Sequence, residues 1–132
     1  MGGVSSKKEK EFQNYINWFE IPAVNFQQAV DFYNHIYGIK MEQNVVGNYA
    51  MAFFPAKNGI GGSIVAGPAS TPGDSGPLIY LNAGNDLNPI LQKVEEAGGR
   101  VVMKKTLINE DSGYFAIFID SEGNKLALHS KN

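Results

Sequence analysis

The chain contains no cysteine. Disulfides, thiolate metal sites and cysteine nucleophiles are therefore excluded, and the usual sequence clue to redox compartment is gone. No apolar run approaches the roughly 20 residues needed to span a bilayer. The opening stretch MGGVSSKKEKE lacks the apolar segment of a signal peptide. Residues 1–12 are expected to form a flexible tail. Excess charge is also lacking: the formal net charge is −2, so neither nucleic acid nor a membrane surface is an expected partner. No phosphate-binding loop, nucleophile elbow or zinc motif is present. A cytoplasmic protein is the expectation that follows.

Apolar residues are plentiful. Of 132 residues, 43% are hydrophobic, including eight Phe, six Tyr and one Trp. A chain of this size fits one compact domain, expected over residues 13–132, whose core needs no covalent staples.

The apolar pattern alternates between period two and period 3.6. Residues Tyr15 to Ile21 read as a strand, with Pro22 ending its pairing. Asn25 is a good helix cap, and Gln28 three residues on suggests a capping box. Phe26, Ala29, Val30, Tyr33 and Tyr37 then recur at helical spacing, and Gly38 follows as the stop. Three apolar runs come next, Ile39–Val46, Tyr49–Phe54 and Ile60–Ala66, separated by turn signals. Residues 67–77, GPASTPGDSGP, hold three Gly and three Pro and read as a connector or mobile loop.

The same order then repeats. Leu78–Asn82 is a strand, and Asp86 caps a helix that presents Leu87, Ile90, Leu91, Val94 and Ala97 on one face. Strands follow at Val101–Lys104, Tyr114–Ile119 and Lys125–His129, the last two joined by the tight turn Ser121–Asn124. The chain thus reads as two copies of strand-helix-strand-strand-strand, about sixty residues apart. Module one covers about 13–67 and module two about 77–130. Each sheet is covered by a helix on one face. The other faces are expected to enclose a cleft, giving an α+β fold of two βαβββ modules in a U-shaped, cup-like mixed sheet with helices outside.

Three segments carry a resemblance: FEIPAVNFQQAVDFYNHIYGIKM, VEEAGGRV and IDSEGNKLALHS. Across roughly residues 15 to 130 the chain resembles the vicinal oxygen chelate superfamily of glyoxalases, bleomycin-resistance proteins and extradiol dioxygenases. The resemblance implies paired modules, often in homodimers, and activities from lyase and isomerase chemistry to antibiotic sequestration. Fold alone does not choose among them.

Metal-dependent members place a His, Gln or Glu near the middle of four strands. Alignment through the quoted segments puts Trp18 at the first such position and Ser63, Ile64 or Val65 at the second. Leu78, or Ile79 or Tyr80 after a slip in register, stands at the third, and Ala127 at the fourth. None is a common ligand for a divalent cation, so no metal cofactor is expected there. Two candidate groups lie two residues further along, Glu20 and His129, on the same faces as Trp18 and Ala127. They are read either as displaced metal ligands or as a general acid/base pair for a lyase or isomerase. The competing reading is structural: Glu20 satisfying a neighbouring polar group, and His129 a solvated strand end.

Trp18, Tyr80 and Asn82 share faces with Glu20, and alternation groups Tyr49, Met51 and Phe53. Such an aromatic wall suits a small organic ligand, though the same rings could instead fill the cup themselves. Tyr114, beside the polar stretch Asn109–Gly113, is a further candidate for ligand contact. The favoured expectation is a small-molecule cleft that works without a metal.

Overall fold

The computed structural model describes residues 11–132. The tail expected over 1–12 therefore lies almost entirely outside the described residues. The first module comprises β1 (Trp18–Ala23), α1 (Phe26–Tyr37), β2 (Glu42–Val46), β3 (Tyr49–Phe53) and β4 (Gly61–Ala66). The second comprises β5 (Tyr80–Asn82), α2 (Asn88–Val94), β6 (Arg100–Asn109), β7 (Gly113–Ile119) and β8 (Lys125–Ser130). Each module folds into its own four-stranded mixed sheet, ordered β1-β4-β3-β2 and β5-β8-β7-β6. In both, the outer strand next to the other module runs parallel to the last strand of its own module. The sequence repeat is thus a structural repeat.

β1 begins three residues later than the pattern suggests, and it runs through Pro22 to Ala23. Pro22 does not end pairing: it sits opposite Val65. β1 is an edge strand, where a residue with no N–H to donate is tolerated. β5 is the facing edge and only three residues long. Among the described residues no ladder joins the two sheets. A proline on one edge and a short strand on the other keep the edges from zipping together. A gap is left between the modules.

Helix α1 follows from its sequence. Ala29, Val30, Phe32, Tyr33 and Ile36 are buried at helical spacing. The Asn25 side chain accepts the Gln28 N–H at 3.1 Å. Gly38 closes the helix at φ 64°, a conformation that costs glycine nothing. The reciprocal half of the expected capping box is not made by Gln28, whose amide donates to Ser121 O at 3.3 Å. Glu122, from the β7–β8 turn, takes that part. Its Oε1 accepts the N–H groups of Val24 at 2.8 Å and Asn25 at 2.6 Å. The carboxylate of one module caps the helix of the other, which the positive end of the helix dipole favours.

The same turn does more. Tyr33, fully buried, donates its hydroxyl to Asp120 Oδ2 at 2.8 Å. Asp120 also accepts Asn124 Nδ2 at 3.0 Å and the backbone N–H groups of Glu122 and Asn124 at 2.8 and 2.9 Å. Asn124 Nδ2 donates to Pro22 O at 2.7 Å as well, and its Oδ1 accepts the Gly73 N–H at 3.0 Å. Around this polar knot Phe32 stacks on Phe118, with centroids 6.1 Å apart. One core runs through both modules, from Ile21 and Ile64 to Leu87, Phe118 and Leu128. Among the described residues no buried side-chain polar atom lacks a partner.

Burial and the Asp120 carboxylate push the Tyr33 phenol well above its ordinary range, and burial does the same for Tyr37. A phenol whose pKa is raised by folding contributes its full stability below about pH 10, the unfolded value, and loses it as pH rises above that. The unfolding midpoint in urea is therefore expected to fall steeply above pH 10, with a shallower fall in Tyr33→Phe. Equal slopes would refute the assignment. At neutral pH, Asp120→Ala strands a buried hydroxyl and two N–H groups and should cost about 3 kcal/mol or more. Tyr33→Phe leaves Asp120 with its other donors and should cost about 1 kcal/mol. Urea denaturation of the two variants checks that order.

Candidate functional site

Pairing register decides which side chains share a face. In the first sheet Glu20 lies opposite Ser63, and Ser63 opposite Phe53. Met51 lies opposite Val65. Trp18, Glu20, Met51 and Phe53 therefore share the face turned away from the core, whose own side carries Ile21, Ala52 and Ile64. In the second sheet Tyr80 lies opposite Ala127, Asn82 opposite His129, and His129 opposite Phe115. Tyr80, Asn82 and His129 share the corresponding face.

The gap between β1 and β5 opens into a cavity of about 990 Å³. Trp18, Glu20, Tyr80 and Asn82 line it, so four of the eight side chains singled out from sequence meet there. Ile16, Phe19, Tyr37, Phe54, Ile60 and Leu78 contribute further apolar wall. The Tyr37 hydroxyl donates to Asn82 O at 2.9 Å, tying the end of α1 to β5 beside the cavity. Asn82 Oδ1 accepts the Gly84 N–H at 2.8 Å, which fixes the orientation of that amide.

Two adjacent glycines on β4 make room for the rings of β1. A Cβ on Gly61 would come within 3.1 Å of the Trp18 ring, and one on Gly62 within 2.4 Å of the Phe19 ring. The indole crosses Gly61 toward Phe53, at a centroid distance of 6.2 Å. Phe19, on the opposite face, crosses Gly62 toward Phe54 at 5.5 Å. Trp18 nevertheless remains 48% exposed and Tyr80 52%, so neither ring is consumed by the core. Phe53 backs the indole and Met51 is set further along the sheet, and neither of these two expected ligand contacts lines either pocket.

A second pocket of about 430 Å³ lies beneath the connector, between Thr71–Pro77 and the strands β1 and β8. Glu20, Pro77 and Ile79 border both spaces.

Two sequence expectations need correction. The pattern paired Glu20 with His129, on the premise that β1 and β8 run roughly parallel. They run in opposite senses. Pro22, near the end of β1, bonds Asn124, just before the start of β8. Trp18, at the start of β1, shares a cavity with Asn82, which pairs with His129 near the end of β8. Equal shifts along the two strands thus carry the side chains apart. His129 Nε2 donates instead to Ser112 O in the β6–β7 turn, at 2.6 Å, and borders neither pocket. Tyr114 is the second correction. Its neighbours Gly113 and Phe115 take the other side of β7, and Tyr114 packs on the core under the Lys105 ammonium, 4.7 Å from the ring. Lys105 also donates to Asp86 Oδ1 at 2.9 Å and holds that carboxyl below its usual range. The stretch Asn109–Gly113 is the turn of a hairpin, closed by Ser112 N–H on Asn109 Oδ1 at 2.7 Å.

The positions that the resemblance aligns with metal ligands hold Trp18, then Ser63, Ile64 or Val65, then Leu78, Ile79 or Tyr80, and lastly Ala127. Ser63 and Ala127 are buried and small. Among the described residues no three His, Cys, Asp or Glu side chains come together. This donor set does not fit a divalent cation, which needs several converging oxygen or imidazole ligands.

A sequence model of the Glyoxalase/Bleomycin resistance protein/Dioxygenase superfamily matches residues 15–128. The chain belongs to that superfamily. No curated protein matches it. Its fold is similar to a glyoxalase/bleomycin resistance protein from Albidiferax ferrireducens T118 (TM-score 0.65, 13% identity, covering 90% of this chain and 100% of that one). It is similar also to glyoxalase I from Zea mays (TM-score 0.64, 15% identity, 86% of this chain and 42% of that one). A third is TnmS3, an antibiotic binding protein from Streptomyces sp. CB03234 (TM-score 0.61, 21% identity, 93% and 100%). Among the described residues no helix is long and apolar enough to cross a membrane.

Trp18 is the chain's one tryptophan, so its emission reports this site directly. Gly61→Val should force the indole off β4 into water and shift the emission maximum to the red. An unshifted spectrum in a folded variant would place the ring elsewhere.

Proposed function

We propose that this chain binds a small organic molecule in the cleft between β1 and β5, without the metal used by catalytic members of its superfamily. The carrying observation is the 990 Å³ cavity itself, which Trp18 and Tyr80 border with half-exposed rings. Its volume falls at the upper end of the range for small-molecule sites, and its walls are mostly apolar with a few polar groups. Rings held on strands offer contact area with little conformational entropy to lose. That one fold neighbour is described as an antibiotic binding protein is in keeping with this reading. A lyase or isomerase reading has less support, since Glu20 and His129 do not form a pair.

Titration with polycyclic aromatic compounds, followed by Trp18 emission, should show saturable quenching. Trp18→Ala, followed by calorimetry, should weaken binding of the same compound about tenfold, the scale of one lost aromatic contact. Absence of any saturable change across such a panel would sink the proposal. Treatment with a chelator should leave the thermal midpoint and the affinity unchanged; a loss of either would mean that a metal is part of the site.

The chain is further proposed to work as a homodimer. Val45 and Val46 on β2, and Val102, Met103, Leu107 and Ile108 on β6, leave apolar side chains exposed on the outer edges of the two sheets. Light scattering should return twice the 14.4 kDa of one chain.

A further inference from the structure

We propose that the ligand of this cleft is an organic cation: an aromatic or apolar body carrying an amine, with the ammonium group held by Glu20. The inference rests on the cleft being a ligand site and names the class of molecule it takes.

Among the described residues lining the larger cavity, Glu20 is the one that carries a charge. The remaining walls are aliphatic and aromatic side chains, two prolines, a glycine and the amides of Asn14 and Asn82. Glu20 stands on β1 two residues beyond Trp18 and on the same face. Across the gap the same cavity is bordered by Tyr80. Among the described residues no hydrogen bond or ion pair engages the Glu20 carboxylate, although every buried polar atom is satisfied. Its cross-strand neighbour, Ser63, is buried and bears no charge.

A carboxylate at the edge of an apolar cavity selects by sign. A cation gains attraction that apolar walls screen less than bulk water does, and an anion meets repulsion of the same size. The faces of Trp18 and Tyr80 act in the same direction, since aromatic rings attract cations through their quadrupole. The smaller pocket beyond Glu20 holds one acid, Asp74, and one base, Lys125, whose charges offset each other. Thr71, Ser75 and Asn124 line it too. Glu20 borders both spaces, so an amine placed there leaves its apolar body in the larger cavity and any polar extension beneath the connector.

The test is calorimetry with three probes that share one ring system: naphthylmethylamine, naphthalenemethanol and naphthoate. The wild-type chain should bind the amine about tenfold more tightly than the alcohol, the usual scale for a charge-assisted contact, and the acid least. Glu20→Gln keeps the shape and should bring the amine down to the affinity of the alcohol. Raising salt should weaken the amine and leave the alcohol unchanged. Equal binding of amine and alcohol by the wild type would overturn the cation assignment and leave the cleft standing. So would an amine preference that survives in Glu20→Gln. If none of the three probes binds, the cleft reading falls and the cation assignment with it.

Discussion

The turn Asp120–Asn124 is the contact on which the arrangement of the two modules depends. It belongs to module two, yet most of what it binds belongs to module one. Glu122 caps α1, Asp120 anchors Tyr33 within the core, and Asn124 holds both Pro22 and the connector at Gly73. Five residues thus fix a helix end, an edge strand and a linker. Such a network is worth having only when complete, because a stranded donor or acceptor in a dry interior costs more than a formed bond returns. Here each carboxylate oxygen of Asp120 accepts two bonds.

With the modules clamped at that end and by the shared core, the edge strands β1 and β5 face each other without pairing. The cavity is a consequence of that frustrated edge. Pro22 cannot donate to a partner strand, and β5 is too short to form an extended ladder. What remains is a gap walled by the outward side chains of β1 and β5 and floored by the rings of Tyr37, at the end of α1, and Phe54, just after β3. The proposed ligand site lies where the sheet fails to close. The positions that the family resemblance aligns with metal ligands border this region with an indole, small or aliphatic side chains and a phenol in place of converging carboxylates and imidazoles.

Much of the fold was legible because its periodicities were strong. The βαβββ repeat, the cap at Asn25, the stop at Gly38 and the turn before β8 all followed from local chemistry. Half of the site was legible for the same reason: alternation along a strand places Trp18 with Glu20, and Tyr80 with Asn82. Gly61 and Gly62 were a further signal, since adjacent glycines in an apolar strand mark the close approach of rings from a neighbour. The errors arose where a claim joined two elements. Glu20 with His129 required the relative direction of β1 and β8. Tyr114 required the face of β7 that meets the core. Phe19, Tyr37 and Phe54 look like core residues in the sequence, and they are, except that the gap lays one side of each open.

By itself the sequence determined the two modules and the faces of their strands, because each depends on residue type and on spacing within a single element. Only the tertiary structure decided that a module-two carboxylate caps a module-one helix, that His129 turns to Ser112, and that Glu20 stands at the border of two pockets. Those outcomes depend on contacts between residues far apart in the chain, 98 positions for Val24 and Glu122, and no local pattern encodes a partner at that distance.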